Sequence, residues 1–292
     1  MIDPLVLSSS GPPLIFLHAN GYPPEAYRTF LEPFLNTYQV SAIYMRPFWP
    51  GSNPEDFRDW LGFRDDYLDY LHARKVNIQR SGTITKTRKI IGVGHSVGAM
   101  STIMAAIKEP DHFKALVLIE PVLFSRLRGI FMRLISPLKL TRRFHPLVKR
   151  TLKRKTRFPD LETMYQNYRK KPIFNRLSDE VLKDYVQGLA SRNPDESISL
   201  GYSPEWEARI YEISGIADWY VWRNLSRVDL PVLVIRGAIT DTLWASTLDQ
   251  MVNRLPHGNP YTMEGAGHLT PLEEPQLTAG IIREFLISLE ES

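Results

Sequence analysis

The amino-acid sequence predicts an α/β protein in which a mostly parallel sheet is flanked by helices and interrupted by an inserted helical cap. Short apolar runs alternate with amphipathic stretches along most of the 292 residues, a pattern typical of parallel strands that are buried on both faces. The alternation stops between residues 122 and 211, where the sequence is mainly helical and basic. A chain of this length accommodates one large domain with such an insertion.

The individual elements follow from the spacing of apolar residues and from the turn residues between them. The predicted strands are the apolar runs at residues 14–17, 40–44, 89–93, 115–119, 232–235 and 261–263. The main predicted helices are at residues 25–35, 56–73, 97–107, 243–255 and 276–289. The sheet domain is therefore expected to consist of residues 1–121 and 212–292, with the basic helical cap at residues 122–211.

The charge of the chain is unevenly distributed. Lys and Arg number 36 against 32 Asp and Glu, and twelve of the basic residues but no acidic one fall between Arg126 and Arg157. The simplest interpretation is an amphipathic cap helix with solvated charges. The alternatives are a lid attracted to an anionic membrane surface or to an acidic acyl substrate. No nucleic-acid recognition motif accompanies the charge, so binding to nucleic acid is not expected.

The absence of cysteine limits the chemistry open to the chain. Without a thiol, disulfides, thiolate zinc sites, iron–sulfur clusters and a cysteine nucleophile are excluded. We expect no cofactor and no metal, so that the reaction uses oxygen and nitrogen groups. No stretch reaches the roughly 18–20 apolar residues of a membrane helix. Because the first apolar run is also too short for a signal peptide, a cytoplasmic location is expected.

The most specific motif is Gly-His-Ser-Val-Gly at residues 94–98, where the third predicted strand meets the following helix. Glycines on both sides allow a tight turn that projects the Ser96 hydroxyl into a cleft. The same turn brings the backbone N–H of Val97 to a helix N-terminus, where an anion is stabilised. Ser96 is therefore the predicted nucleophile and Val97 a predicted oxyanion donor. The alternative is a glycine-rich turn that serves packing alone.

A serine nucleophile needs a base to take its proton. The predicted base is His268, which lies in a glycine-containing loop just after the last predicted strand. The imidazole needs a carboxylate to orient it, and Asp241, after the fifth strand, gives the chain order Ser, acid, His. Asp241 could alternatively cap a helix. Glu120, at the end of the fourth strand, is the reserve candidate, and Asp218 is a weaker one.

The loop after the first strong strand is the predicted source of a second oxyanion donor. It reads His-Ala-Asn-Gly-Tyr-Pro at residues 18–23 and begins where that strand ends. An oxyanion is held by two donors from different loops. The backbone N–H of Asn20 is the predicted partner of Val97, with Tyr22 the next candidate, and a simple strand-ending turn is the alternative.

Taken together, these motifs resemble the α/β-hydrolase superfamily. The matching segments, which occur in the family's order across nearly the whole chain, are residues 18–21, 94–98, 237–241 and 265–268. The resemblance implies a Ser96, Asp241 and His268 triad and an oxyanion hole formed by the Val97 and Asn20 amides. It also implies a helical cap. Because only a short segment precedes the first strong strand, we expect the opening edge strands of the family's sheet to be reduced.

The resemblance implies a hydrolase acting on a small acyl substrate. Serine at the nucleophile position argues against the relatives that use an aspartate, such as haloalkane dehalogenases and epoxide hydrolases. Hydrolysis of a carboxylic ester is the prediction, and thioesterase, amidase, carbon–carbon bond hydrolase and acyltransferase activities stay open. A non-catalytic binding module is less favoured. A nicotinamide-dependent oxidoreductase is also less favoured, because the glycines at 92, 94 and 98 miss the dinucleotide-binding spacing.

Overall fold

The computed structural model of the chain describes residues 1–80, 89–126, 129–130 and 146–291, with the side chains of 75–80 left aside. These residues form ten strands: β1 (Leu5–Val6), β2 (Pro13–Leu17), β3 (Gln39–Ile43), β4 (Ile90–His95), β5 (Phe113–Ile119), β6 (Arg157–Phe158), β7 (Ala190–Arg192), β8 (Ile198–Leu200), β9 (Val232–Gly237) and β10 (Gly258–Met263). Seven of these strands form the central sheet, in the order β1-β3-β2-β4-β5-β9-β10.

The central sheet is parallel except at one edge. Strands β3, β2, β4, β5, β9 and β10 run in the same direction, and every residue of β2 and β4 is buried. Only β1 is antiparallel, and its two residues pair with Ala42 and Ser41. This confirms the prediction of a mostly parallel sheet with a reduced opening edge. Since parallel strands end at one edge, the loops after β2, β4, β5, β9 and β10 are neighbours there.

The described helices are α1 (Arg28–Leu31), α2 (Leu61–Arg80), α3 (Val97–Lys108), α4 (Pro146–Leu152), α5 (Leu161–Arg169), α6 (Asp179–Leu189), α7 (Pro204–Glu212), α8 (Asp218–Asn224), α9 (Ala245–Val252), α10 (Thr270–Glu273) and α11 (Pro275–Ser288). Helix α3 follows β4 directly and packs against β4 and β5. Its small residues allow close approach to the sheet, and all ten positions from Val97 to Ala106 are buried.

Two predicted helices differ from the observed ones for local reasons. The helix expected at 25–35 is broken into a 3-10 turn, the four-residue α1 and a second 3-10 turn at Glu32–Phe34. Pro33 lies in that second turn and cannot donate a helical hydrogen bond. The helix expected from residue 56 begins instead at Leu61, whose backbone N–H donates to the Asp59 side chain over 2.8 Å. A carboxylate in this position caps the helix.

The segment from residue 122 to residue 211 contains helices α4 to α7, but it is not helical throughout. Strands β6, β8 and β7 form a separate antiparallel sheet in that order. Helix α4 packs on α7, and α6 packs on the 3-10 turn at Pro24–Tyr27, which follows the β2 loop. Helix α7 is also tied to the sheet domain, since Arg209 Nε donates to the Phe57 carbonyl over 2.8 Å.

Five of the basic residues in the predicted cap lie outside the described part of the chain. The basic residues that lie outside the described residues are Arg128, Arg133, Lys139, Arg142 and Arg143. The domain boundary at residues 122 and 211 therefore stays a prediction. None of the described helices combines the length and the apolar character that a membrane crossing requires.

Candidate active site

Ser96 lies in the sharp turn between β4 and α3. Its backbone has φ 59° and ψ −118°, a region that is strained for a residue with a side chain. The turn is held by a hydrogen bond from the Ser96 N–H to the Ile119 carbonyl, 2.9 Å long. A side chain at Gly94 would overlap the backbone of Gly98, and one at Gly98 would overlap the backbone of Leu17. The flanking glycines are therefore required by close packing around the turn.

The structure brings Ser96 and His268 together across 172 positions of the chain. The Ser96 Oγ lies 3.0 Å from the His268 Nε2, within hydrogen-bond distance. His268 follows β10 in the loop that leads into α10, at the same edge of the sheet as the turn after β4. The serine proton therefore has an imidazole nitrogen within direct reach.

The other imidazole nitrogen of His268 faces Glu120. The His268 Nδ1 lies 3.0 Å from the Glu120 Oε2, and Glu120 is completely buried at the end of β5. Its carboxylate also accepts hydrogen bonds from the Gly237 N–H, over 2.6 Å, and from the Thr240 hydroxyl, over 2.7 Å. These donors compensate for burying a carboxylate away from water.

The prediction of Asp241 as the carboxylate at His268 is corrected by this geometry. Asp241 is exposed, and its Oδ1 accepts a hydrogen bond from the Thr242 hydroxyl over 3.2 Å. The loop after β9 instead contributes the Gly237 N–H and the Thr240 hydroxyl, both of which hold Glu120. The loops after β5 and β9 end side by side, so chain order alone could not decide between their carboxylates. The feature of the sequence that pointed to Glu120 was its position at the end of the fourth predicted strand.

The third carboxylate considered, Asp218, is also placed away from His268. It lies at the start of α8, fully buried, and its Oδ2 accepts the Phe124 N–H over 2.9 Å. This contact fixes the chain just after β5. Asp218 therefore has a structural role among the described residues.

The two predicted oxyanion donors line the cavity in front of Ser96. Among the hydrogen bonds of the described residues, none uses the backbone N–H of Asn20 or of Val97. The neighbouring amides are occupied, because Ala19 N–H donates to the Tyr27 hydroxyl over 3.1 Å and Tyr22 N–H donates to the Ala19 carbonyl over 3.2 Å. This leaves Asn20, rather than Tyr22, with an available amide in this loop.

The Asn20 side chain is fixed from the other side of the cavity. Its Oδ1 accepts the Tyr202 hydroxyl over 2.7 Å, and its Nδ2 donates to the Glu207 carbonyl over 3.2 Å. Both partners belong to the 122–211 segment. The position of the Asn20 backbone is thus determined jointly by the sheet domain and by that segment.

A buried hydrogen-bond series also connects the β2 loop with the His268 loop. The Tyr27 hydroxyl, which accepts the Ala19 N–H, donates to His95 Nδ1 over 2.8 Å. The His95 Nε2 in turn donates to the His268 carbonyl over 2.8 Å. Burial lowers the pKa of His95 well below its usual value, so the imidazole is neutral and can donate and accept at once. This series fixes the backbones at Ala19 and His268 relative to each other.

The cavity in front of Ser96 has a volume of about 320 Å³. Apart from Ser96, His268, Asn20 and the exposed Asp241, most of its lining is apolar. The apolar residues are Ala19, Trp60, Val97, Val122, Phe124, Leu147, Ile173, Ile210 and Leu269. Such a lining suits the apolar part of an organic substrate.

One cluster with the geometry of a metal site occurs among the described residues, away from Ser96. The Glu109 Oε2 lies 2.7 Å from His72 Nε2 and 3.0 Å from His112 Nε2. Glu109 follows the C-terminal end of α3, whereas Ser96 precedes its N-terminal end. The cluster and Ser96 are therefore separated by the length of α3.

Comparisons with known proteins place the chain in one family. Residues 14–281 match the sequence profile described as "Alpha/beta hydrolase family". A curated relative, (E)-2-((N-methylformamido)methylene)succinate hydrolase of Acinetobacter baylyi, is 21% identical over 91% of this chain and 87% of its own length. Strigolactone esterase RMS3 of Pisum sativum is 33% identical, over only 36% of this chain and 37% of its own.

A solved structure shows the same fold. The crystal structure of E-2-(acetamidomethylene)succinate hydrolase superposes with a TM-score of 0.73 and 18% identity, covering 96% of this chain and 92% of that chain. At this identity the likeness concerns the fold alone. It agrees with a mostly parallel central sheet flanked by helices.

Proposed function

We propose, from the premise that this chain belongs to the alpha/beta hydrolase family, that it is a serine hydrolase of carboxylic esters. The proposed nucleophile is Ser96, the base is His268, and the carboxylate that orients the base is Glu120. The single observation that carries this proposal is the continuous hydrogen-bonded series from the Ser96 Oγ through both nitrogens of His268 to the Glu120 carboxylate. Serine, histidine and carboxylate in this order form the arrangement that activates an alcohol.

The proposed reaction proceeds in two halves. His268 Nε2 takes the hydroxyl proton as Ser96 Oγ attacks the acyl carbon, and the imidazolium then gives that proton to the leaving alcohol. His268 Nε2 next takes a proton from water as that water attacks the acyl-enzyme, and the imidazolium returns the proton to Ser96 Oγ as the acid leaves. Throughout, Glu120 accepts the Nδ1–H and stabilises the positive imidazole. The carboxylate does not need to take a proton itself.

The negative oxygen formed in each half requires donors. The proposal assigns the backbone N–H groups of Val97 and Asn20 to this task. Both residues line the cavity at Ser96, and neither amide is used by another described residue. The Val97 amide also lies at the N-terminus of α3, where the helix dipole favours negative charge.

A second candidate reaction is hydrolysis of an amide-type acyl bond. It is favoured by the two succinate hydrolases found by comparison, since each is named for a succinate that carries an amide group. The same three side chains would act, with an amine instead of an alcohol as the leaving group. Thioester hydrolysis, carbon–carbon bond hydrolysis and acyl transfer to an acceptor other than water are further alternatives on the same site.

A fluorophosphonate probe tests the nucleophile. We expect the wild type to be labelled and the Ser96→Ala variant to be unlabelled. Ser101→Ala is the matched control, because Ser101 lies on α3, the helix that follows Ser96, and its hydroxyl is bonded to the Val97 carbonyl. This variant should be labelled like the wild type. Labelling of Ser96→Ala, or no labelling of the folded wild type, would contradict the proposal.

A panel of acyl esters, thioesters and amides with the same acyl group tests the bond. Esters are expected to give the highest kcat/KM in the wild type, with turnover lost in Ser96→Ala. A higher kcat/KM for amides would contradict ester hydrolysis as the main reaction and support the second candidate, amide hydrolysis.

A further inference from the structure

A second cavity, here called the basic cavity, adjoins the one in front of Ser96. Its volume is about 480 Å³, and it lies among helices α4 to α7 and the loop after β2. Four residues line both cavities: Tyr22, Leu147, Ile173 and Tyr211. A molecule bound with its reacting group at Ser96 can therefore extend into the basic cavity past these shared residues.

The two cavities differ in charge. No Lys or Arg occurs among the described residues that line the cavity at Ser96. The basic cavity has five such residues and one carboxylate, Glu207. The five are Arg150, Lys153, Arg154, Lys155 and Lys171. The lining is therefore strongly positive.

The one carboxylate is already paired with one of the five cations. Arg154 forms an ion pair with Glu207, and the two side chains are only 9% and 13% exposed. Arg154 also donates to the Tyr168 hydroxyl over 2.9 Å and to the Tyr185 hydroxyl over 2.6 Å. These bonds hold Arg154 and Glu207 in the wall of the cavity, and the direct ion pair of Glu207 is made with Arg154.

The other four cations have no ion pair among the described residues. Lys171 is the most enclosed of them: it is half-buried, and its Nζ lies 4.1 Å from the centre of the Tyr168 ring. Burial and the neighbouring Arg154 and Arg150 lower the pKa of Lys171 to about 8, although the nearby Glu207 acts in the opposite direction. A positive charge without an ion pair of its own is stabilised when an anion binds next to it.

From this arrangement we infer that the basic cavity binds an anionic group at the far end of an acyl substrate whose reacting carbonyl lies at Ser96. The group is a carboxylate or a phosphate, held mainly by Lys171 and Arg150. The inference rests on the proposed function and narrows its substrate class to anionic acyl esters. The mainly apolar lining at Ser96 takes the uncharged part of the same molecule.

A matched pair of esters tests the inference. One is a p-nitrophenyl ester whose acyl chain ends in a carboxylate, and the other has the same chain ending in a methyl group. We expect the wild type to have the higher kcat/KM for the anionic ester. Lys171→Met should lower that value about tenfold, mainly through KM, because a charged hydrogen bond is lost. It should leave the neutral ester unchanged.

The matched control is Lys170→Met, which removes the same charge from the neighbouring position. Lys170 is exposed and does not line the basic cavity, so both esters should react as with the wild type. Equal kcat/KM for the two esters in the wild type would overturn the inference. So would equal effects of Lys170→Met and Lys171→Met, because these would reflect overall charge rather than a site.

A binding measurement separates this inference from the proposed function. Calorimetric titration of Ser96→Ala with a linear dicarboxylate, with inorganic phosphate and with a neutral diol does not depend on turnover. Binding of either anion, lost in Ser96→Ala/Lys171→Met, would support the site even if no ester is hydrolysed. Comparing the titrations with the dicarboxylate and with phosphate also shows which of the two anionic groups the cavity binds. If the wild type hydrolyses the neutral ester but Ser96→Ala binds neither anion, the proposed ester hydrolysis is supported and the inferred anion site in the basic cavity is overturned.

A lipid surface is the competing partner for this positive charge, and sedimentation with phosphatidylglycerol vesicles tests it. If the charge serves a membrane, both lysine variants should reduce vesicle binding equally and no preference between the esters should exist. That combination would overturn the inference. Vesicle binding that is absent, or unchanged by Lys171→Met, would support it.

Discussion

The two adjoining cavities share four lining residues, but they hold their polar side chains in different ways. Around Ser96, the hydroxyl, the imidazole of His268 and the Glu120 carboxylate form one hydrogen-bonded series, and the Gly237 amide and the Thr240 hydroxyl also donate to Glu120. In the basic cavity, Lys171 and Arg150 have no ion pair among the described residues. The first cavity therefore holds its polar side chains in a fixed geometry, whereas in the second Lys171 and Arg150 provide positive charge without a fixed acidic partner in the described part of the chain. Substitutions should therefore have large effects in the first and small, substrate-dependent effects in the second.

The largest expected effect separates the two carboxylates near His268. Glu120→Gln keeps the shape but removes the charge that orients and stabilises the imidazolium, so kcat should fall by about 10⁴-fold. Asp241→Asn, at the exposed position in the neighbouring loop, should change kcat by less than about threefold, because Asp241 does not touch His268. Steady-state rates with the neutral ester measure both. If Asp241→Asn lowered kcat more than Glu120→Gln, Asp241, as predicted from chain order, would be the carboxylate that assists His268.

A large effect on stability is expected at the glycine behind Ser96. Gly98→Ala would push a methyl group into the backbone carbonyls of Leu17 and His18 and should lower the free energy of unfolding by about 3 kcal/mol. Gly280→Ala is the control, because a side chain there meets nothing within 4 Å in helix α11. That change should raise stability by about 0.5–1 kcal/mol. Urea denaturation measures both, and equal effects would show that the turn is not tightly packed.

A moderate effect is expected from the buried series that links the two loops. Tyr27→Phe leaves the Ala19 N–H without its acceptor and His95 without its donor, which should cost about 1–3 kcal/mol of stability. The kcat should fall roughly tenfold, since both loops hold reacting groups in place. Tyr67→Phe is the matched control, because that buried hydroxyl has no partner among the described residues, and it should leave both values unchanged. A Tyr27→Phe enzyme with normal kcat would show that the series is not needed for positioning.

The smallest effect is expected in the basic cavity and depends on pH. Because the pKa of Lys171 is lowered to about 8, this side chain is charged below pH 8 and becomes neutral as the pH rises. The ratio of kcat/KM for the anionic and neutral esters should therefore fall a few-fold between about pH 7 and pH 9. Any effect of pH on the steps at Ser96 that both esters share cancels in this ratio. Lys171→Arg should keep the ratio constant over this range, and a decline in that variant would assign the change to another group.

Other titratable groups surround Lys171 and are the candidates for such a change. They come from the helices and loops around the basic cavity: Tyr22, Arg150, Lys153, Arg154, Lys155, Tyr168, Tyr185, Glu207 and Tyr211. Burial raises the pKa of each of these four tyrosines above its usual value, and the nearby Arg154 offsets part of the rise in each case. None of the tyrosines should therefore ionise below pH 9.

The strands and the residues at their ends followed from local sequence. Apolar runs fixed β2 to β5 and β9 within a few residues, since a strand buried on both faces needs continuous apolar sequence. The spacing of Gly94, Ser96 and Gly98 identified the strained turn, and the position of His268 after the last strand brought it to the same edge. The Ser96 and His268 contact was thus predictable, although its catalytic role stays a proposal.

The choice of carboxylate and the charge of the second cavity were decided only by tertiary structure. Glu120 and Asp241 follow neighbouring strands, and which of them reaches His268 depends on backbone direction at the strand end, where Glu120 has φ 48°. The excess of basic residues was visible in the sequence, but their pairing was not. Ion pairs such as Arg154 with Glu207 join residues 53 positions apart, and local periodicity carries no information about such distances. Sequence therefore determined which groups are available, and folding decided which of them meet.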